Sequence, residues 1–141
     1  MNKLTGDLWL QSGWKVVPIN QDGVFGAGIA QQFGEKYPQY LPRYCFSFRI
    51  LFDVHVILLP VKVHWQEKAR LDLIRLGLER LITWSQENRE PRINVPLLRC
   101  GYGRLERKIV EPLITDYLTA SNFWLILPPD DITERYPHSV V

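Results

Sequence analysis

The sequence predicts an α/β fold: a three-layer α/β/α sandwich whose central mixed, mostly parallel sheet carries helices on both faces. Three observations lead there. Segments of β type alternate with helical ones, the pattern of a parallel sheet with helical crossovers. One segment, VHVILLPV (residues 54–61), is almost wholly apolar, as expected of a central strand covered on both faces. Two glycine-rich stretches each stand between a strand and a helix, where such folds bind their ligands.

The elements follow in order. Residues 3–5 make a short first strand. KVVPIN (residues 15–20) is rich in β-branched side chains and ends at a glycine loop, so it reads as a buried strand. A helix is predicted from Gly28 to about Tyr37, with Ile29, Phe33 and Tyr37 four apart on one face, and Pro38 stops it. CFSFRILF (residues 45–52) and VHVILLPV are two β segments around Asp53. In WQEKARLDLIRLGLERLITWSQEN (residues 65–88), Leu71, Ile74, Leu78, Leu81 and Ile82 keep helical spacing, while Arg70, Arg75, Glu79 and Arg80 fall mostly opposite. RINVPLL (residues 92–98) is another short strand, followed by a second glycine loop, RCGYGRL (residues 99–105). A helix is expected from about Lys108 to Leu118, with Pro112 in its first turn, where a missing N–H costs little. FWLIL (residues 123–127) is the last strand.

The 141 residues suit one domain, residues 1–127, with an irregular tail rich in proline and charge over residues 128–141. Hydrophobic residues make up 46% and charged residues 23%, an ordinary balance. A formal net charge of +2 permits a phosphate-bearing partner without demanding one. The two cysteines, Cys45 and Cys100, form no disulfide framework. No basic-then-apolar leader opens the sequence, and no apolar run approaches the roughly 18 residues of a membrane span, so a cytoplasmic protein is expected.

Glycine allows the backbone to approach a ligand closely and to aim several N–H groups at it. A helix N-terminus just beyond adds partial positive charge. Two facing loops of this kind can hold a diphosphate without any lysine. The plain alternative is that Gly23, Gly26, Gly28, Gly101 and Gly103 only make tight turns. Their spacing is neither the dinucleotide fingerprint nor a P-loop.

The segments GDLW, VVPINQDGVFGAGIAQQFGEKYP, LLPVKVHWQEKARLDLIRLGLERL and INVPLLRCGYGRLERKIVEPLI occur in the order and spacing of the macrodomains. The chain resembles most the branch holding the terminal ADP-ribose protein glycohydrolase and the antitoxin macrodomain that removes ADP-ribose from thymidine in DNA. The resemblance covers roughly residues 4 to 127. It implies a macrodomain fold, ADP-ribose as ligand or product, no cofactor and no metal. ADP-ribosylated DNA or protein is the implied substrate, and a cognate ADP-ribosyltransferase toxin the implied partner.

Residue by residue, Asp7 matches the acid that accepts from the adenine amino group, with the backbone of Leu8 beside it. Asn20 matches the asparagine that begins the first loop, near the distal ribose. Gly26, Ala27, Gly28 and Ile29 match the part of that loop that wraps the distal ribose and diphosphate. Cys100, Gly101, Tyr102 and Gly103 match the loop that closes over the phosphates. Lys62 matches the catalytic lysine of this branch, which attacks C1 of the distal ribose. The resemblance puts His64 and Trp65 close to the site: the histidine to orient Lys62 or shuttle a proton, the tryptophan to stack on a base. A structural histidine, a core tryptophan and a lysine snorkelling from a strand end are the plain alternatives.

Four positions depart from the family pattern. Arg99 stands where glycine is usual, and either braces the diphosphate or narrows the pocket. Gly103 stands where the protein glycohydrolase has a catalytic aspartate, as in the DNA-type antitoxin. Ala69 replaces a serine. Asp22 puts a charge in the first loop, which would repel phosphate if it faced the ligand. Three functions are therefore in play: a lysine Schiff-base glycohydrolase acting on ADP-ribosylated DNA, a non-catalytic ADP-ribose-binding module, and an ADP-ribose 1″-phosphate phosphatase.

Overall fold

The structure is a computed structural model that describes residues 1–25, 28–40, 47–98 and 105–129. Six strands form one sheet: β1 (Asn2–Thr5), β2 (Trp14–Asn20), β3 (Arg49–Leu51), β4 (Val56–Lys62), β5 (Ile93–Val95) and β6 (Phe123–Leu127). Their spatial order is β1-β6-β5-β2-β4-β3. Every neighbouring pair is parallel except β3 with β4. The sheet is thus mixed and mostly parallel, as the alternation of elements predicts. Short 3-10 turns follow β1 (Leu8–Leu10) and precede β3 (Pro38–Tyr40).

Alternation along the two central strands sorts their side chains onto two faces. Val17, Ile19, Val56 and Leu58 pack with Phe33 of α1 (Gly28–Lys36) and with Tyr40. Val16, Ile57, Leu59 and Val61 pack with Ile74, Leu78 and Leu81 of α2 (Leu71–Glu87) and with Val110 and Ile114 of α3 (Arg107–Tyr117). These two cores make the three layers. All seven residues of β4 are buried, which explains its lack of polar alternation. Helix α2 lies so close to β4 that a Cβ on Gly77 would meet Leu59 Cγ at 2.6 Å.

Some elements differ from their sequence-based bounds. Helix α2 starts at Leu71, because residues 65–70 form the turn leading into it. Strand β3 keeps only three residues of the predicted CFSFRILF, whose first two lie outside the described residues. Pro112 is not in the first turn of α3. The helix begins at Arg107, which makes Pro112 its sixth residue and leaves the Lys108 carbonyl without its usual i+4 donor. The tail from residue 130 onward lies outside the described residues. Among the described residues no helix is long and apolar enough to cross a membrane.

Candidate functional site

Because β1, β6, β5, β2 and β4 all run the same way, their carboxyl ends share one edge. The chain leaves β2 toward β3 and β4 on one side, and α2 then carries it to β5 on the other. Strand β2 is therefore a topological switch point, and the crevice beyond its end is where ligands bind in such sheets. Asp7 follows β1 at this edge, Asn20 ends β2, and Lys62 ends β4.

A register shift aligns the last two. Ile19 pairs with Pro60, but Asn20 pairs with Lys62, so β4 carries one extra residue, Val61. Such a bulge re-aims the side chain that follows it. Lys62 is 2% exposed, so it does not snorkel into solvent. Its Nζ donates to the Trp65 carbonyl at 2.7 Å. Burying its methylene stem is favourable by about 0.8 kcal/mol per group, which offsets part of the desolvation of the amine.

Asn20 is 3% exposed, and both ends of its amide serve the first loop. Its Nδ2 donates to the Val24 carbonyl at 2.7 Å, and its Oδ1 accepts from the Val24 N–H at 3.1 Å. The next two residues tie this loop to the turn after β4. The Gln21 N–H donates to the Lys62 and Val63 carbonyls, each at 3.0 Å. The Asp22 carboxylate accepts from the Trp65 N–H at 3.2 Å and meets His64 Nδ1 at 3.1 Å. The bond from His64, and then that from Trp65, hold the Asp22 carboxyl below the usual range. On its other side the His64 ring lies 3.7 Å from Glu67. Trp65 is 36% exposed, so it is not a core residue.

No family model matches the chain. The DNA ADP-ribosyl glycohydrolase of Mycobacterium tuberculosis is 33% identical to it over 109 residues, 66% of this chain and 31% of that protein. The chain spans about a third of the length of the curated relatives it matches. The solved macrodomain of Mycobacterium tuberculosis DarG superposes with a TM-score of 0.77 at 26% identity, covering 92% of this chain and 97% of that one. The chain belongs to the macrodomain superfamily. Within it, the chain stands with the DarG branch. Thermosipho africanus DarTG, solved in complex with ADP-ribose, shares the fold with a TM-score of 0.73 at 24% identity, over 94% of this chain and 44% of that one.

The macrodomain places the remaining expected residues as follows. Asp7 caps the turn Leu8–Leu10, with Oδ1 accepting from the Trp9 N–H at 2.9 Å, and Leu8 is buried beneath it. Gly28 opens α1 with a φ of +59°, and among the described residues nothing lies within 4 Å of where its Cβ would be. A side chain there would be strained. Ile29 packs at the margin of the α1 core. Gly26, Ala27, Arg99, Cys100, Gly101, Tyr102 and Gly103 lie outside the described residues. Among the described residues, no His, Cys, Asp and Glu gather as a metal-binding group.

Sequence reasoning missed two parts of this macrodomain's site. One is the Trp65 backbone, which uses its N–H toward Asp22 and its carbonyl toward Lys62. The other is the direction of Asp22, which turns sideways to the next loop. The available signal was complementarity: an acid in one edge loop and a histidine in the other.

Proposed function

We propose that this macrodomain binds ADP-ribose across the carboxyl edge of its sheet and removes it from a modified macromolecule, ADP-ribosylated DNA in particular, with Lys62 as nucleophile. One observation carries the reading. A lysine amine is buried at the end of a central strand, beside Asn20 and the glycine loop, with its nitrogen oriented by a backbone carbonyl. A structural lysine at a strand end would normally send its charge to water. The name of the Mycobacterium tuberculosis relative and the ADP-ribose complex of the Thermosipho africanus protein support the choice of ligand and substrate.

The chemistry follows from the groups at hand. Neutral Lys62 Nζ attacks C1 of the distal ribose, the bond from C1 to the modified base breaks, and the base leaves with the proton released by the amine. Opening of the sugar ring turns the new carbon–nitrogen bond into a Schiff base. Water adds to C1, the nitrogen leaves, and free ADP-ribose and the lysine amine are restored. No cofactor enters this cycle. An ADP-ribosyltransferase that makes the modified substrate is the partner this activity calls for.

The test offers the protein thymidine-ADP-ribosylated single-stranded DNA, glutamate-ADP-ribosylated protein and ADP-ribose 1″-phosphate in parallel. Release of ADP-ribose from the DNA is expected, together with a borohydride-trapped adduct that Lys62→Ala lacks. Binding of ADP-ribose with no release from any substrate would make this a non-catalytic binding module. Release of phosphate alone would make it the phosphatase. Lys62→Ala cleaving at the parental rate would exclude the lysine mechanism.

A further inference from the structure

We infer that Asp22 is a positioning residue for Lys62, acting through the backbone on both sides of the Trp65 Cα; this rests on the proposed role of Lys62. Three bonded steps carry it. The Asp22 carboxylate accepts from the Trp65 N–H at 3.2 Å, the Trp65 carbonyl accepts from Lys62 Nζ at 2.7 Å, and the His64 Nδ1 contact at 3.1 Å holds the carboxylate from the other side. The turn is closed on itself by the Glu67 N–H to the His64 carbonyl at 3.0 Å. Its strand end is fixed by the Gln21 N–H, which meets the Lys62 and Val63 carbonyls.

This arrangement changes the meaning of the charge. A carboxylate in a phosphate-binding loop would weaken binding if it faced the ligand. Here it accepts from a backbone N–H and an imidazole of the neighbouring loop, and charge-assisted bonds of this kind are the stronger sort. They fix the His64–Trp65 peptide on the amino side of the Trp65 Cα, and the Trp65 carbonyl on its other side holds one of the tetrahedral directions at Nζ. A nucleophile must meet its carbon along a defined line, and a misplacement of about 1 Å can cost on the order of a hundredfold in rate. Asp22 therefore contributes to turnover and not to the grip on free ADP-ribose.

The test compares the parent, Asp22→Ala, Asp22→Asn and Lys62→Ala on thymidine-ADP-ribosylated DNA, with ADP-ribose affinity by calorimetry and amide hydrogen exchange alongside. Asp22→Ala is expected to lower kcat about tenfold while KM and ADP-ribose Kd stay within about threefold. The Trp65 amide should exchange faster in that variant, while amides inside β4 should not. Asp22→Asn keeps an acceptor for the Trp65 N–H and should restore kcat to within about threefold of the parent. If both Asp22 variants bind ADP-ribose more tightly at unchanged kcat, the charge faces the ligand and the inference is overturned. A parental kcat in Asp22→Ala, in a protein whose cleavage still needs Lys62, also overturns the inference and leaves the glycohydrolase reading standing. Cleavage that survives Lys62→Ala overturns both.

Discussion

Asn94 and Asn20 are buried asparagines at opposite ends of the central strands. Near the amino end of β2, Asn94 donates to the Ser12 and Trp14 carbonyls at 2.8 and 2.9 Å and accepts from Arg92 Nε at 3.1 Å. That end is closed by rings: Trp14 stacks on His55 and meets Trp84 edge-on, and Arg92 lies over Trp124. At the carboxyl end, Asn20 holds the loop that follows it, and Lys62, Asp22 and His64 gather beside it. One end spends its buried amide on joining packed elements. The other spends it on shaping loops around a crevice. A polar group buried at a strand end and bonded to the loop that follows it marks the edge where the ligand is proposed to bind.

Four changes test the difference between the two ends, running from severe to slight. Lys62→Arg is expected to reduce ADP-ribose release at least a thousandfold, because guanidinium stays protonated and cannot attack. Its ADP-ribose Kd should remain within about tenfold, or roughly 1.4 kcal/mol, measured by calorimetry on the same preparation. Asn94→Ala should destabilise the fold by about 3 kcal/mol in urea unfolding, because it leaves Ser12 and Trp14 carbonyls and an Arg92 N–H without their partner. The fraction that folds should bind ADP-ribose as the parent does.

Asn20→Ala should cost less stability, about 1–2 kcal/mol, because its two bonds go to a loop that water can reach. Its ADP-ribose affinity should nevertheless fall at least tenfold. Equal effects of the two asparagines on affinity would erase the distinction between the ends. The smallest effect concerns pH. His64 and the Trp65 N–H depress the Asp22 carboxyl, and Glu67 faces the same imidazole from its other side. A depressed carboxylate contributes stability that is complete above its unfolded value of about 3.9 and is lost as pH falls through the lower folded value. Parent and Asp22→Asn should therefore differ in Tm by at most a few degrees near neutrality, and the difference should vanish in acid below that folded value.

Much of the fold was legible because its signals are local. The apolar run of β4 and the helical spacing of Ile74, Leu78 and Leu81 need no partner to be read. Helix α2 begins at Leu71, the first residue with helical spacing, and the Trp65 N–H and carbonyl in the turn before it bond to Asp22 and Lys62, partners that no spacing pattern shows. Pro112 falls past the first turn because α3 starts at Arg107, one residue before the expected Lys108. At the site, the position of Lys62 came from a matched motif. Its burial, and the bulge that pairs it with Asn20, depend on strand register across more than forty residues. The sequence around Asp22 shows its charge and not its direction, since its partners lie on another loop.

Lys62 is built as a core residue up to its last atom. Methionine has nearly the same length, carries no charge and fills such gaps readily, and lysine and methionine codons can differ by a single nucleotide. On the proposed reading, one inherited change would silence the chemistry while leaving the sheet, the loops and the crevice intact. Turnover and recognition are thus separable in descent. A lineage with this architecture can drift from erasing a mark to reading it without passing through an unfolded ancestor.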